Sequence, residues 1–241
     1  VIAPDLRGHG QSDAPFSEYS MSELVDDIQA IAESLCLPEK FVLVGHSFGG
    51  SICVEYANVH PERLEKLILI ATSREYPLPR RASLLSKIPA AAFRPWWKYR
   101  PRWNAEVHVM KRMLLNNMRK WQGWSLLQNI RIPTLIMTGE RDRYFPREVF
   151  EKVSKMVTGA EVIDVGVSKH KVQLERHEAV NRAIERFVSE EVEGRRISWR
   201  EQATPSNRQE NRPWLKMYGK HTPQTIPIPR KPLHKFLEAA A

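Results

Sequence analysis

A chain of 241 residues can bury a full core in one domain with additions, and 42% apolar against 27% charged side chains is the balance of a soluble globular protein. Two cysteines, Cys36 and Cys53, exclude a disulfide framework, and no apolar run nears the ~18 residues of a membrane span. The net charge of +9 is uneven: residues 74–131 hold 13 basic and 2 acidic side chains, residues 195–241 hold 10 and 3, and the rest is acidic. That distribution fits local attraction of anions and argues against a nucleic-acid-binding fold.

Val1-Ile2-Ala3-Pro4-Asp5 reads as the end of a buried strand, followed by the loop LRGHGQSDAP. The chain therefore begins inside a predicted element and reads as truncated at its N-terminus. From Met21 to Leu35 apolar residues recur at helical spacing (Leu24, Ile28, Ile31, Leu35), with Ser20 as N-cap and Glu23 three residues on, a capping box. Phe41–Val44 is a short apolar strand running into Gly45-His46-Ser47-Phe48-Gly49, and a helix follows to about His60. Leu64 to Thr72 is a second strand, rich enough in Leu and Ile to be covered on both faces. Both cysteines fall in amphipathic helical patterns and are expected as packed thiols of a reducing, cytoplasmic compartment.

The rhythm breaks from Ser73 to Asn129, where five of the seven tryptophans (Trp96, Trp97, Trp103, Trp121, Trp124) sit among Arg and Lys. Five prolines cut the first half into short pieces, and Asn104 to Trp121 is long enough for one helix. This stretch reads as an inserted lid. Alternation resumes with the strand IPTLIMTGE, a helix over Pro146–Val157, a strand over Ala160–Val165 and a helix from about Leu174 to Glu193. Strands and helices alternating at this length predict a parallel sheet. The predicted division is 1–73 and 130–194 as the two parts of one core, 74–129 as a helical lid, and 195–241 as a disordered linker and tail.

A strand, then a serine flanked by glycines, then a helix, projects one hydroxyl from a tight turn beside the first N–H groups of a helix. Glycines are expected there because a side chain would collide with the neighbouring strand and helix. Serine at neutral pH is a poor nucleophile and needs a base, and the base needs an acid to orient it. Both should lie at the C-terminal ends of later strands, on the same edge as Ser47. Asp142 follows the strand IPTLIMTG, with Glu140 as its rival, and His170 follows the next strand, with His177 as its rival. His46 is expected to pack under the turn, and His9 to line the pocket floor or buttress the turn. The order Ser, Asp, His, each after a strand, is that of the α/β-hydrolase fold.

VIAPDLRGHGQSD, VLVGHSFGG, HPERLEKLILIAT, IPTLIMTGERD and KHKVQLERHEAVNRAIERFV together resemble the α/β-hydrolase superfamily of lipases, esterases and other serine hydrolases, from the fourth core strand onward. The resemblance implies a partial α/β-hydrolase fold with a lid. It also implies Ser47 as nucleophile, Asp142 as orienting acid, His170 as general base and the Phe48 backbone N–H as one oxyanion donor. The family's second donor comes from a loop that would precede Val1, which would leave this chain with half of that site. No cofactor and no metal is called for. The implied substrate is a small-molecule acyl ester or thioester, with C–C hydrolysis, lactone hydrolysis and a non-catalytic binding module as alternatives. Lys169 stands where the family usually has glycine, a cation next to the base that would lower its pKa.

The lid's Trp and Arg content has two functional readings, peripheral contact with a membrane surface and recognition of an anionic acyl donor such as a coenzyme A thioester. Its plain reading is packing, with the tryptophans seated on the core and the cations in solvent. Residues 211–241, NRPWLKMYGKHTPQTIPIPRKPLHKFLEAAA, resemble the opening of long-chain acyl-CoA synthetases of the adenylate-forming family. That resemblance implies covalent continuation into an AMP-binding domain and a role in fatty acid metabolism. The plain reading is a Pro-rich tail.

Overall fold

The structure is a computed structural model that describes residues 1–76, 88–97, 105–145 and 147–189, with the side chains of 94, 96 and 97 excepted. The expectations for Trp103, for the linker and for the synthetase-like tail fall outside these residues.

Four strands form one parallel sheet in the order β1 (Phe41–His46), β2 (Leu64–Ile70), β3 (Thr134–Thr138), β4 (Glu161–Asp164). Helix α1 (Met21–Ser34) packs on α2 (Phe48–Val59), which lies against β1 and β2. The capping box at Ser20 is complete: the Ser20 hydroxyl accepts from Glu23 N, and the Glu23 carboxylate accepts from Ser20 N at 2.7 Å.

The lid contributes α3 (Ala90–Trp97), α4 (Val107–Arg112) and α5 (Trp124–Asn129). The single helix expected over Asn104–Trp121 is Val107–Met118, and its second half, Met113–Met118, is a π-turn. Beyond the lid come α6 (Arg147–Met156), α7 (Val172–Glu175) and α8 (His177–Ser189).

Position in the sheet decides burial. β3 is covered throughout, and β2 is covered except at Glu65. β1 is apolar from Phe41 to Val44, yet Val44 is 46% exposed, because among the described residues only β2 pairs with it. Val1–Pro4, expected as a buried strand end, is exposed and makes no ladder. Its segment is tied instead to its own loop, where Ser12 Oγ donates to Asp5 O at 2.7 Å and Gln11 N to Asp5 Oδ2 at 2.9 Å.

Two further residues depart from expectation. Cys53 is buried, which pushes its thiol up to about 12, but Cys36 is exposed rather than packed. Helix α1 ends before Cys36, which takes a left-handed conformation (φ 49) while Leu37 N donates back to Ala32 O. Lys66, in the middle of β2, is 2% exposed and donates from Nζ to Phe187 O at 2.5 Å and Val188 O at 3.3 Å. A cation thus meets the carbonyls at the C-terminal end of α8, where the helix dipole is negative.

Candidate active site

The site is built where strands end. β1 exits into Ser47, whose backbone is left-handed (φ 54, ψ −122), and α2 begins at the next residue. Ser47 N donates to Ile70 O at 2.8 Å, fastening the turn to the end of β2. A Cβ on Gly45 would lie 2.6 Å from Cys53 Sγ, from Gly49 O and from Gly50 Cα, so glycine is required there. Gly49, the second glycine of the motif, faces open space, against expectation. The close approach belongs to Gly50, whose Cβ would lie 1.9 Å from Thr72 Oγ1. The motif spacing named the wrong glycine because the α2 axis turns Gly50, not Gly49, toward the β2 exit.

The exit loops of β3 and β4 bring two side chains to this turn. His170 Nε2 lies 2.7 Å from Ser47 Oγ, and His170 Nδ1 lies 2.8 Å from Asp142 Oδ2. The carboxylate accepts only, so Nδ1 carries the proton and Nε2 is left to accept from the serine hydroxyl. Asp142 is fixed in turn, its Oδ1 accepting from Tyr144 N at 2.8 Å and Phe145 N at 3.1 Å. Its side chain is fully covered, and burial alone would push its pKa up. The hydrogen bond from His170 and those from the Phe145 and Tyr144 amides outweigh burial and hold it below the usual carboxylate range. Of the two rival residues, Glu140 is exposed, and His177 is exposed at the start of α8. Lys169 is exposed as well, with its backbone N–H donating to Glu175 Oε2 at 2.9 Å.

His46 lies beneath the base rather than beneath the serine. The His170 carbonyl can only accept, so His46 Nε2 donates to it, at 2.8 Å, and the two rings sit 4.9 Å apart. Burial holds the His46 pKa below its ordinary value, against the hydrogen bond to His170 that favours the charged form. His9 Nδ1 lies 3.1 Å from Arg7 O, and its backbone bridges to Ala105, so it joins its loop to the lid.

The Phe48 N–H is the first amide of α2, beside Ser47, where helix amides are free of intrahelical partners. Three aromatic residues at the site escaped the sequence reading. Tyr144 and Phe145 flank the His170 ring at 4.9 Å and 5.4 Å. Tyr76, buried behind the elbow, donates to Ser47 O at 2.9 Å. Tyr144 and Phe145 were findable, since they directly follow the acid loop; Tyr76 stands in a loop with no motif.

In the lid, Trp121 is buried and donates to Glu55 Oε1 on α2 at 2.8 Å, which is the packing role. Trp124 is half exposed, with the Arg74 guanidinium 3.5 Å from its ring centre. The side chains of Trp96 and Trp97 lie outside the described set. Among the described residues no helix is long and apolar enough to cross a membrane, and no cluster of three or more His, Cys, Asp or Glu side chains could hold a metal.

A parallel sheet whose strand ends gather a serine, a histidine and an aspartate defines the class, and the family model described as alpha/beta hydrolase fold matches residues 1–121; the chain belongs to that family. It is similar to the AB hydrolase superfamily protein YisY of Bacillus subtilis, 26% identical over 229 residues, covering 77% of this chain and 80% of the relative. Among solved structures it resembles an N-acyl homoserine lactone degrading enzyme, with 25% identity, a TM-score of 0.65 and coverage of 76% and 80%. It shares its fold with a thermophilic esterase from Thermogutta terrifontis, at 24% identity, a TM-score of 0.64 and coverage of 77% and 78%. Family and neighbours support a hydrolase.

Proposed function

We propose that the chain is a serine hydrolase that cleaves a carboxylic ester or thioester through an acyl-enzyme. The observation that carries this reading is the hydrogen-bonded series Ser47–His170–Asp142, set on a turn strained enough to hold the serine clear of the helix. Ser47 Oγ attacks the acyl carbon as His170 Nε2 takes its proton, and the Phe48 N–H stabilises the oxygen that gains charge. The C–O or C–S bond breaks, and the leaving alcohol or thiol takes the proton from His170. Water then attacks the acyl-serine, again giving a proton to His170, and the free acid departs as Ser47 Oγ is reprotonated. Asp142 holds the imidazole in its Nδ1–H form throughout.

Lactones form a second substrate class within the same chemistry. The likeness to an N-acyl homoserine lactone degrading enzyme favours them, because a lactone is an ester whose leaving alcohol stays tethered. A non-catalytic binding module remains the rival outside enzymology.

A fluorophosphonate probe separates these readings, since it reacts only with an activated serine. Labelling that is lost in Ser47→Ala and in His170→Ala is the expected result. A chain that takes no label, or keeps it in Ser47→Ala, sinks the proposal. Turnover of an aryl ester against a γ-lactone of equal chain length then sorts the two substrate classes.

A further inference from the structure

Ser47 occupies a region of backbone space that costs roughly 1–3 kcal/mol and persists only when its surroundings over-determine it. Three hydrogen bonds hold it: Ser47 N to Ile70 O at 2.8 Å, Gly50 N to Ser47 O at 3.0 Å, and Tyr76 Oη to Ser47 O at 2.9 Å. The first two are backbone bonds, one to the end of β2 and one within the turn. Only the third depends on a side chain.

The direction of that third bond follows from its partners. A carbonyl can only accept, so the single phenolic proton of Tyr76 goes to Ser47 O. The Tyr76 oxygen then accepts from Ser51 Oγ, 2.7 Å away and buried on α2. The series runs Ser51, Tyr76, Ser47. The ring cannot drift, because Phe48, Trp121 and Phe145 pack around it at centroid distances of 5.7, 5.8 and 5.5 Å. Burial pushes its hydroxyl up to about 12, so it remains a donor over the working range of any histidine base.

The carbonyl of Ser47 and the N–H of Phe48 belong to one peptide plane. In a planar trans peptide these two groups point in opposite directions and move as a rigid unit. Whatever fixes the Ser47 oxygen therefore fixes the direction in which the Phe48 N–H points. A hydrogen bond accepted by that oxygen also polarises the amide and strengthens its N–H as a donor.

We propose that Tyr76 is a positioning residue of the site: through the Ser47 carbonyl it aims the Phe48 N–H at the developing oxyanion, with Ser51 holding the Tyr76 hydroxyl in place. This rests on the reading of Ser47 as the nucleophile. Because the N–H is used when charge develops, the effect falls on the reaction step and not on ground-state binding.

The test compares the full chain with Tyr76→Phe, Ser51→Ala and the double variant, by second-order fluorophosphonate labelling between about pH 5 and 9. Melting is followed by circular dichroism. Tyr76→Phe keeps the ring cluster, and its labelling should fall about tenfold at every pH, below the 10²–10³ lost when an oxyanion donor is deleted outright. The pH midpoint should not move, because the base is untouched. Ser51→Ala should fall less, and the double variant no further than Tyr76→Phe alone. A Tyr76→Phe rate within twofold of wild type, or one reduced only as far as the folded fraction is reduced, overturns the positioning role. So does a double variant that multiplies the two losses. A wild-type chain that takes no label overturns the nucleophile reading and this inference with it, whereas a labelled wild type with an unaffected Tyr76→Phe overturns this inference alone.

Discussion

In the sheet, Ile68 and Leu69 of β2 meet Leu135 and Ile136 of β3, all fully buried and all alike in chemistry. In the lid, Trp121 and Leu127 reach into the main core, and the rest of the attachment is by single polar contacts between unlike groups. Asn117 donates from the π-turn to Tyr19 O, Asn116 Nδ2 donates to Glu18 O at 2.8 Å, and Trp121 donates to Glu55. A small second core of Tyr19, Leu24, Ile52, Val109 and Met113 supports the Asn117 contact. Burial of apolar area is non-directional and forgiving, so the sheet needs only the right residue type. The lid's hydrogen bonds need particular atoms, and losing a buried one such as that of Asn117 strands a polar group. The catalytic side chains of the proposed mechanism stand on the first kind of support; the expected failures of the two regions therefore differ in kind.

The largest effects should come from the strand ends. On the proposed function, Ser47→Ala lowers kcat by about 10⁵–10⁶. Asp142→Asn should cost about 10⁴, because the imidazole loses the group that fixes its Nδ1–H form, while Glu140→Gln leaves the rate unchanged. Steady-state rates on one ester check both, and a greater loss in Glu140→Gln would move the acid to Glu140. Next come two glycines on one turn. Gly50→Ala should lower stability by about 1–3 kcal/mol, since its Cβ would collide with Thr72. Gly49→Ala, which meets open space inside a helix, should raise it by about 0.5–1 kcal/mol. Urea unfolding of the two variants reads the contrast, and equal losses would show that the motif glycine is packed after all.

What was legible in the sequence follows the same division. The apolar runs at Leu64–Ile70 and Thr134–Thr138 could only be interior strands, and Ser20 with Glu23 announced where α1 begins. Ser47, Asp142 and His170 were legible because each lies at or just beyond the end of a strand, and parallel strands bring their ends to one edge. Residues whose placement depends on pairing or on a distant partner were not legible. Val44 looks like any buried valine, yet with β2 the one strand paired to β1 among the described residues it is exposed. Cys36 fits the α1 pattern until the left-handed cap turns it outward. The bridge from His9 to Ala105 joins segments far apart in sequence, and no motif announces it. Tyr76 is set by Ser51 and an aromatic cluster gathered from α2, the lid and the acid loop, none of them near it in sequence.

A cut in the lid tests whether the two regions are independent. Asn117→Ala removes the donor to Tyr19 O and leaves that carbonyl buried, a loss of about 1–3 kcal/mol. Labelling of Ser47 in the folded fraction should not change, because Asn117 bonds to Tyr19 O and Met113 Sδ while the hydrogen bonds of Ser47 run to Ile70, Tyr76 and His170, although Phe48 packs against the second core. Slower labelling at full folding would show that lid and elbow are coupled.

The smallest effect lies beneath the base, and its sign follows from burial. Burial holds the His46 pKa in the folded chain below the ordinary 6.5, the hydrogen bond to His170 offsetting it only in part. As pH falls through 6.5 the unfolded chain takes up the proton first, so stability declines until the folded-state pKa has also been passed. Asp142, whose pKa is held below its ordinary 3.8, has the same sign in a lower window: its contribution is present above 3.8 and is lost as pH falls further. The two windows separate the groups. His46→Gln keeps an N–H donor for the His170 carbonyl and removes the titration. The stability difference between wild type and His46→Gln, measured by urea unfolding at about pH 7.5 and 5.5, should therefore shift against wild type at the lower pH. Parallel losses in the two proteins over that interval would mean that folded and unfolded His46 titrate alike, and a shift in favour of wild type would mean that the folded ring holds its proton more tightly than the unfolded chain does. The folded ring would then be a cation 4.9 Å from the His170 ring, and the base would have to work against a charged neighbour.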